Sequence, residues 1–194
     1  MIFTIPNLIS VIRIGLLPVF LWLVFGKDSP TAAAFLIGGI GATDWVDGYL
    51  ARRLGQVSEL GKMLDPTADR LTVAAAVIAG WVSGALPWPI AVLIVARESI
   101  VAIGALILAV KAGTKLEVRY VGKLATLLIY FAIPSFFLHA GTGDAVWSWV
   151  GWGMAVPGLA LYYVAAALYL GDMRRAIRPT PVSSDDDVEP EGPG

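Results

Sequence analysis

Cysteine is absent from the 194 residues, and histidine occurs once, as His139. Disulfides, thiolate metal centres and cysteine nucleophiles are excluded, and zinc has few of its usual donors. Charge is scarce too. Asp, Glu, Lys and Arg make up 15% of the chain, against roughly 25% in soluble domains, and a soluble domain of this length needs more polar surface. The net charge of −1 is uninformative as a total, because its distribution carries the message; no nucleic-acid partner is expected. What is present is apolar: 57% hydrophobic residues, with 21 Gly and seven Trp. That balance suits transmembrane helices with interfacial anchors. The expectation is an all-α integral membrane protein, with a lipid bilayer as its surroundings. Met1 to Ser10 lacks a charged leader region, so no cleavable signal peptide is expected.

Apolar stretches near the length of a bilayer crossing fall at 8–26, 31–52, 62–84, 87–110, 120–140 and 145–170. This predicts six transmembrane helices. Gly26 to Pro30, Gly84 to Trp88 and Gly141 to Asp144 read as short turns. Residues 1–172 form one six-helix domain, and 173–194, rich in Pro, Asp and Glu, read as a disordered acidic tail. Basic residues set the orientation. If the N-terminus is cytoplasmic, the inner side carries Arg52, Arg53, Lys62, Lys111, Lys115, Arg119, Arg174, Arg175 and Arg178, and the outer loops carry Lys27 alone. Both termini and the tail are therefore expected in the cytoplasm, in a multi-pass protein of the cell membrane. Trp81, Trp88, Trp147 and Trp152 collect near the predicted outer ends, as interfacial anchors do.

Several charges do not fit an apolar bundle. Arg13 interrupts the first span, Asp44 and Asp47 end the second, Asp65, Asp69 and Arg70 open the third, and Arg97 and Glu98 sit inside the fourth. A carboxylate in a bilayer costs about 2.5–3.5 kcal/mol, so such residues default to a functional reading. On an ideal helix Asp44, Asp47, Gly48, Ala51 and Arg52 share a face, and Gly61, Asp65 and Asp69 share another. A short inner loop, residues 53 to 60, makes the two helices antiparallel neighbours. The four carboxylates can then meet at one depth, a turn or two below the inner surface. Oxygen-only donors suit Mg²⁺ or Mn²⁺, and four of them can hold two ions that clamp a transferring phosphoryl group. The small residues Gly48 and Ala51 leave room for a ligand, and Arg52 offers a positive partner for phosphate. The bland alternative is a helix hairpin in which the aspartates pair with Arg52, Arg53, Arg70 and Lys62.

The run Asp44-Trp-Val-Asp47-Gly48-Tyr-Leu-Ala51-Arg52, followed by Gly61-Lys-Met-Leu-Asp65-Pro-Thr-Ala-Asp69, resembles the signature of CDP-alcohol phosphatidyltransferases. The four Asp, two Gly, one Ala and one Arg of that signature are all filled. The resemblance extends to Ile5-Pro6-Asn7-Leu8-Ile9-Ser10 and the six-helix layout. It implies that Asp44, Asp47, Asp65 and Asp69 hold two divalent ions, with Asp69 also the general base. It further implies nucleotide contacts from Asn7, Gly48, Ala51, Arg52, Ser58 and Gly61, CDP-diacylglycerol as donor, and a homodimer.

The acceptor alcohol is less clearly written. Arg97, Arg119 and Lys123 are the candidate acceptor contacts, with Lys115 nearby; Lys115 and Arg119 serve equally as membrane anchors. Ala96-Arg97-Glu98 resembles the phosphatidylglycerol-phosphate synthase branch, which adds a second basic residue a turn or two later. Here Ile103-Gly-Ala-Leu106 has none. That weakens glycerol-3-phosphate as acceptor and favours phosphatidylglycerol, as in the CMP-forming cardiolipin synthase branch, which Pro6 to Ser10 and the Lys123 segment also resemble. Inositol phosphate is a third option. A divalent-cation transporter would spread its acids across several helices and depths, and a prenyltransferase would carry two separated acidic motifs.

Overall fold

The computed structural model describes the backbone of residues 5–54, 59–111 and 120–177, and the side chains of 9–43, 68–103, 120–168 and 170–171. The described backbone is helical: α1 Ile5–Phe25, α2 Pro30–Leu54, α3 Glu59–Val82, α4 Trp88–Lys111, α5 Tyr120–Thr142 and α6 Ala145–Ile177. Each of the six expected spans coincides with one helix. Two differences bear on the site. Helices α2 and α3 run on to Leu54 and back to Glu59, leaving a connection shorter than the expected 53–60. Helix α6 continues past the boundary expected at 172 to Ile177. Met173, Arg174, Arg175 and Ala176 are good helix formers, so the end of the apolar run does not end the helix. The remainder of the acidic tail, 178–194, lies outside the described residues.

Turn chemistry ends the helices on one side of the bundle. Gly84 and Gly143 adopt φ of 77° and 71°, and Asp28 adopts 48°. The first two are left-handed positions where a side chain is strained, which is why glycine stops α3 and α5. Short connections make consecutive helices antiparallel. The pairings close into a ring, α1–α2–α5–α6–α4–α3 and back to α1, with α3 also touching α5 across it. The α5–α6 pair is the most extensive.

Small residues set the spacing. A Cβ on Gly151 would meet the Phe136 ring at 2.9 Å, and one on Gly158 would meet Leu128 Cβ at 3.0 Å, so α5 and α6 approach as closely as backbone allows. On α2, a Cβ on Gly41 would meet the Tyr130 ring at 2.8 Å, whereas one on Gly38 would make only ordinary contact with Pro134. Ala33, Ala34, Ala76, Ala79, Ala91, Ala125, Ala132 and Ala155 are buried alongside. The larger core pieces are aromatic: Phe20 meets Phe137 edge-on at 5.6 Å, and Phe136 meets Trp152 at 5.8 Å.

The outside is also apolar. Ile12, Phe35, Ile78, Val95, Phe131 and Val164, one from each helix in turn, are all more than 40% exposed. Trp22, Trp81, Trp88, Trp149 and Trp152 are exposed near the helix ends flanking the three described turns, a single belt at one end of the bundle. Tyr120–Thr142 and Ala145–Leu168 are long and apolar enough by themselves to cross a bilayer, and Ile9–Phe25 and Pro30–Thr43 are shorter apolar stretches.

The spacing argument is testable at Gly80, where an added Cβ would meet Leu86 Cβ at 2.9 Å and the Phe137 ring at 3.2 Å. Gly80→Val is expected to cost about 1–3 kcal/mol and to lower the thermal midpoint in detergent. Gly153→Ala, with nothing within 4 Å, is expected to leave it unchanged. Equal midpoints for the two variants would contradict the packing described.

Candidate functional site

Charge enters the described bundle at one level. Helix register fixes that level, because each residue advances an α-helix by 1.5 Å. Helices α3 and α5 are parallel, and Gly80 faces Phe137. Stepping back equally along both brings Asp69 level with Thr126. In the antiparallel α5–α6 pair, Gly122 faces Ala165 and Gly158 faces Leu128, so Tyr162 is level with Ala125. Tyr162 bonds directly to Glu98 of α4, and Asp69 bonds directly to Arg13 of α1. On α2, Gly41 faces Tyr130, which brings backbone position 44 opposite 127 and 47 opposite 124. All six helices thus contribute a polar position to one stratum of the ring.

The first pair in this stratum is Arg13–Asp69. Arg13 donates from Nη1 to Asp69 Oδ1. The guanidinium side chain is 2% exposed and the carboxylate side chain 35% exposed. An arginine buried to this degree requires a counter-charge. Asp69 supplies it from one helix away, while part of the carboxylate stays accessible. Ser10, also buried, sits one turn before Arg13 on α1. Asp69 lies about 15 Å along α3 from its start at Glu59.

A second pair lies across the ring. Arg97 Nη1 donates to Glu98 Oε1 at 2.8 Å. The Tyr162 hydroxyl donates to the same carboxylate oxygen. The Arg97 guanidinium carbon sits 3.6 Å from the centroid of the Tyr162 ring, a cation–π contact. Tyr163 of α6 donates to the Leu93 carbonyl at 2.9 Å, a further tie between α6 and α4. Lys123, one turn nearer the start of α5, is exposed, with Nζ 5.5 Å from the Tyr120 ring.

Of the residues singled out from sequence, the described side chains include Asp69, Arg97 and Lys123. Asn7, Asp44, Asp47, Gly48, Ala51, Arg52, Gly61 and Asp65 fall on α1, α2 and α3, but their side chains lie outside the described residues. Ser58 and Arg119 lie outside them altogether. Arg97 pairs with Glu98, its neighbour on α4. Pairing of Asp69 with a basic residue of its own hairpin was the bland alternative; the partner described is instead Arg13, 56 positions away. Two participants were not anticipated from sequence. Arg13 was conspicuous as a charge inside an apolar span, and matching its depth to that of Asp69 would have found the pair. Tyr162 carries no sequence signal that separates it from an ordinary core tyrosine. No group of three or more potential metal ligands occurs among the described residues.

Asp69→Leu removes the carboxylate that meets the buried Arg13 guanidinium and leaves its charge less well matched. The expected loss of unfolding free energy is about 2–3 kcal/mol, below the value for a fully buried pair because the carboxylate is partly exposed. Adding Arg13→Met is expected to recover part of that loss. Strict additivity in this double-mutant cycle, followed by denaturant unfolding in micelles, would show the two side chains to be uncoupled.

Comparison with known proteins gives a consistent result. The family described as CDP-alcohol phosphatidyltransferase matches residues 3–167. A Streptomyces coelicolor protein named cardiolipin synthase (CMP-forming) is 34% identical over 184 residues, covering 91% of this chain and 86% of its own length. Two proteins named CDP-diacylglycerol–glycerol-3-phosphate 3-phosphatidyltransferase are also similar. The Escherichia coli protein is 33% identical, covering 88% of this chain and 91% of its own length. The Bacillus subtilis protein is 34% identical, covering 71% and 78%.

Proposed function

The chain belongs to the CDP-alcohol phosphatidyltransferase family, and we propose that it transfers the phosphatidyl group of CDP-diacylglycerol to phosphatidylglycerol, releasing CMP. It is thus an enzyme, and the transporter and prenyltransferase readings fall away. The observation that carries the acceptor choice is the state of Arg97. Its charge is already matched by Glu98 at 2.8 Å, and its stratum offers Lys123 as a further described cation. A phosphodiester with one negative charge suits that balance; a phosphomonoester near two charges needs more. The absence of a second basic residue between Ile103 and Leu106 points the same way. Relatives of both kinds exist at similar identity, so glycerol-3-phosphate is the competing acceptor.

Enzymes of this family depend on divalent metal. The donor set fits such a group: Asp44, Asp47, Asp65 and Asp69 are hard oxygen ligands, backbone positions 44 and 69 share one level, and the Asp69 carboxylate keeps exposed surface beside Arg13. We assign two Mg²⁺ or Mn²⁺ ions to these four residues. When bound, they would neutralise the pyrophosphate and the developing charge on CMP. Asn7, Gly48, Ala51, Arg52, Ser58 and Gly61 bind and orient the nucleotide. Asp69 accepts the proton of the acceptor hydroxyl as its oxygen attacks the phosphatidyl phosphorus; the bond to the CMP oxygen breaks, and CMP leaves with that electron pair. Arg97, Arg119 and Lys123 hold the acceptor phosphate.

Lipidic substrates require a site reachable from a bilayer. The apolar outer side chains on all six helices and the single tryptophan belt support six crossings. With basic residues concentrated at the other end, both termini and the site belong on the cytoplasmic face. The resemblance also implies a homodimer, for which the apolar outer surface is available.

Purified protein with CDP-diacylglycerol and Mg²⁺ or Mn²⁺ is expected to release CMP fastest with phosphatidylglycerol, more slowly with glycerol-3-phosphate and least with inositol phosphate. Faster release with glycerol-3-phosphate overturns the acceptor assignment while leaving the class intact. Chelation with EDTA is expected to abolish release, and added Mn²⁺ to restore it. Asp69→Asn is expected to lower kcat at least 100-fold, the scale of a lost general base, while the far-ultraviolet helical signal is retained. Near-normal kcat in that variant removes the base assignment.

A further inference from the structure

Adjacent helical residues diverge by about 100° and do not ordinarily face each other. Arg97 and Glu98 are adjacent on α4, yet they form a 2.8 Å ion pair. Tyr162 of α6 joins them. Its hydroxyl donates to Glu98 Oε1, and its ring supports the Arg97 guanidinium from 3.6 Å below. One side chain therefore restrains both members of the pair by two different interactions. Tyr162 is itself 3% exposed. The clamp thus joins α4 to α6. Arg97 retains a buried Nε with no hydrogen-bond partner among the described residues. A buried N–H of this kind is costly unless something accepts from it.

We propose that Tyr162 is a positioning residue for the acceptor. By holding Glu98 through its hydroxyl and Arg97 through its ring, it keeps the guanidinium in the orientation that receives the acceptor's phosphate oxygens. The inference rests on the assignment of Arg97 to acceptor binding. Arginine loses considerable rotamer freedom on fixing a ligand, and a guanidinium already stacked and paired has less to lose. The donor lipid is held elsewhere, by the α2–α3 signature, so the clamp acts on one substrate and not the other.

The test separates the two functions of the side chain and the two levels of the argument. Tyr162→Phe removes the hydroxyl bond and keeps the ring; Tyr162→Leu removes both. The KM for phosphatidylglycerol is expected to rise about 3-fold in the first and at least 10-fold in the second. The KM for CDP-diacylglycerol and the thermal midpoint of Tyr162→Phe stay close to wild type. A role in folding alone would move both KM values or neither. Arg97→Ala is the control. If it leaves the acceptor KM unchanged, the assignment of Arg97 fails. If it raises that KM while Tyr162→Phe and Tyr162→Leu do not, the clamp fails and the assignment stands. Should Tyr162→Leu not fold, Tyr162→Phe decides: an acceptor KM equal to wild type overturns the proposal.

Discussion

A buried positive charge in an apolar helix is the constraint around which this molecule is arranged. Arg13 cannot stand among Ala and Phe side chains without a counter-charge, and Asp69 meets it from α3. That contact ties the depth of α1 to that of α3. On the other side of the ring, Arg97 meets Glu98 under Tyr162 in the same stratum. The first pair couples helices distant in sequence, and Tyr162 does the same for the second. In each the charge is matched by a close partner, so a largely apolar chain can hold several ionised groups.

The rest of the fold serves the convergence of those positions. Glycines at 41, 151 and 158 let helices come close, and close helices bring Asp69 to Arg13 and Glu98 to Tyr162. Packing and chemistry are linked here through distance. A methyl group added where α5 meets α6 would shift the helix that holds Tyr162 opposite Glu98. Dispersion and shape drive this association, since lipid tails are as apolar as the side chains they replace.

Much of the helix layout was legible because its signals are local. Apolar runs of bilayer length, interrupted at Gly26, Gly84 and Gly143, mark each helix almost to its ends. The end of α6 was not, because a helix stops where its backbone loses favourable torsions, and Met173 to Ala176 keep them. Of the four aspartates whose spacing places them on facing helices, the described side chains include only Asp69. The Arg13–Asp69 pair is not legible within one hairpin, because depth in the bundle, not distance along the chain, decides which charges meet. Tyr162 shows a different limit. Its role arises from α4 and α6 running parallel and in register, a tertiary fact that no window of sequence contains.

The bundle wears apolar side chains on both its inner and outer faces, with alanine and glycine within and Phe35, Phe131 and Trp149 without. Polarity therefore does not tell inside from outside here, as it does in water. Volume does. Outward positions have open space for bulk, whereas inward positions such as Gly80, Gly151 and Gly158 have no room for a single extra carbon. A map of tolerated residue size along each helix would trace which way it faces.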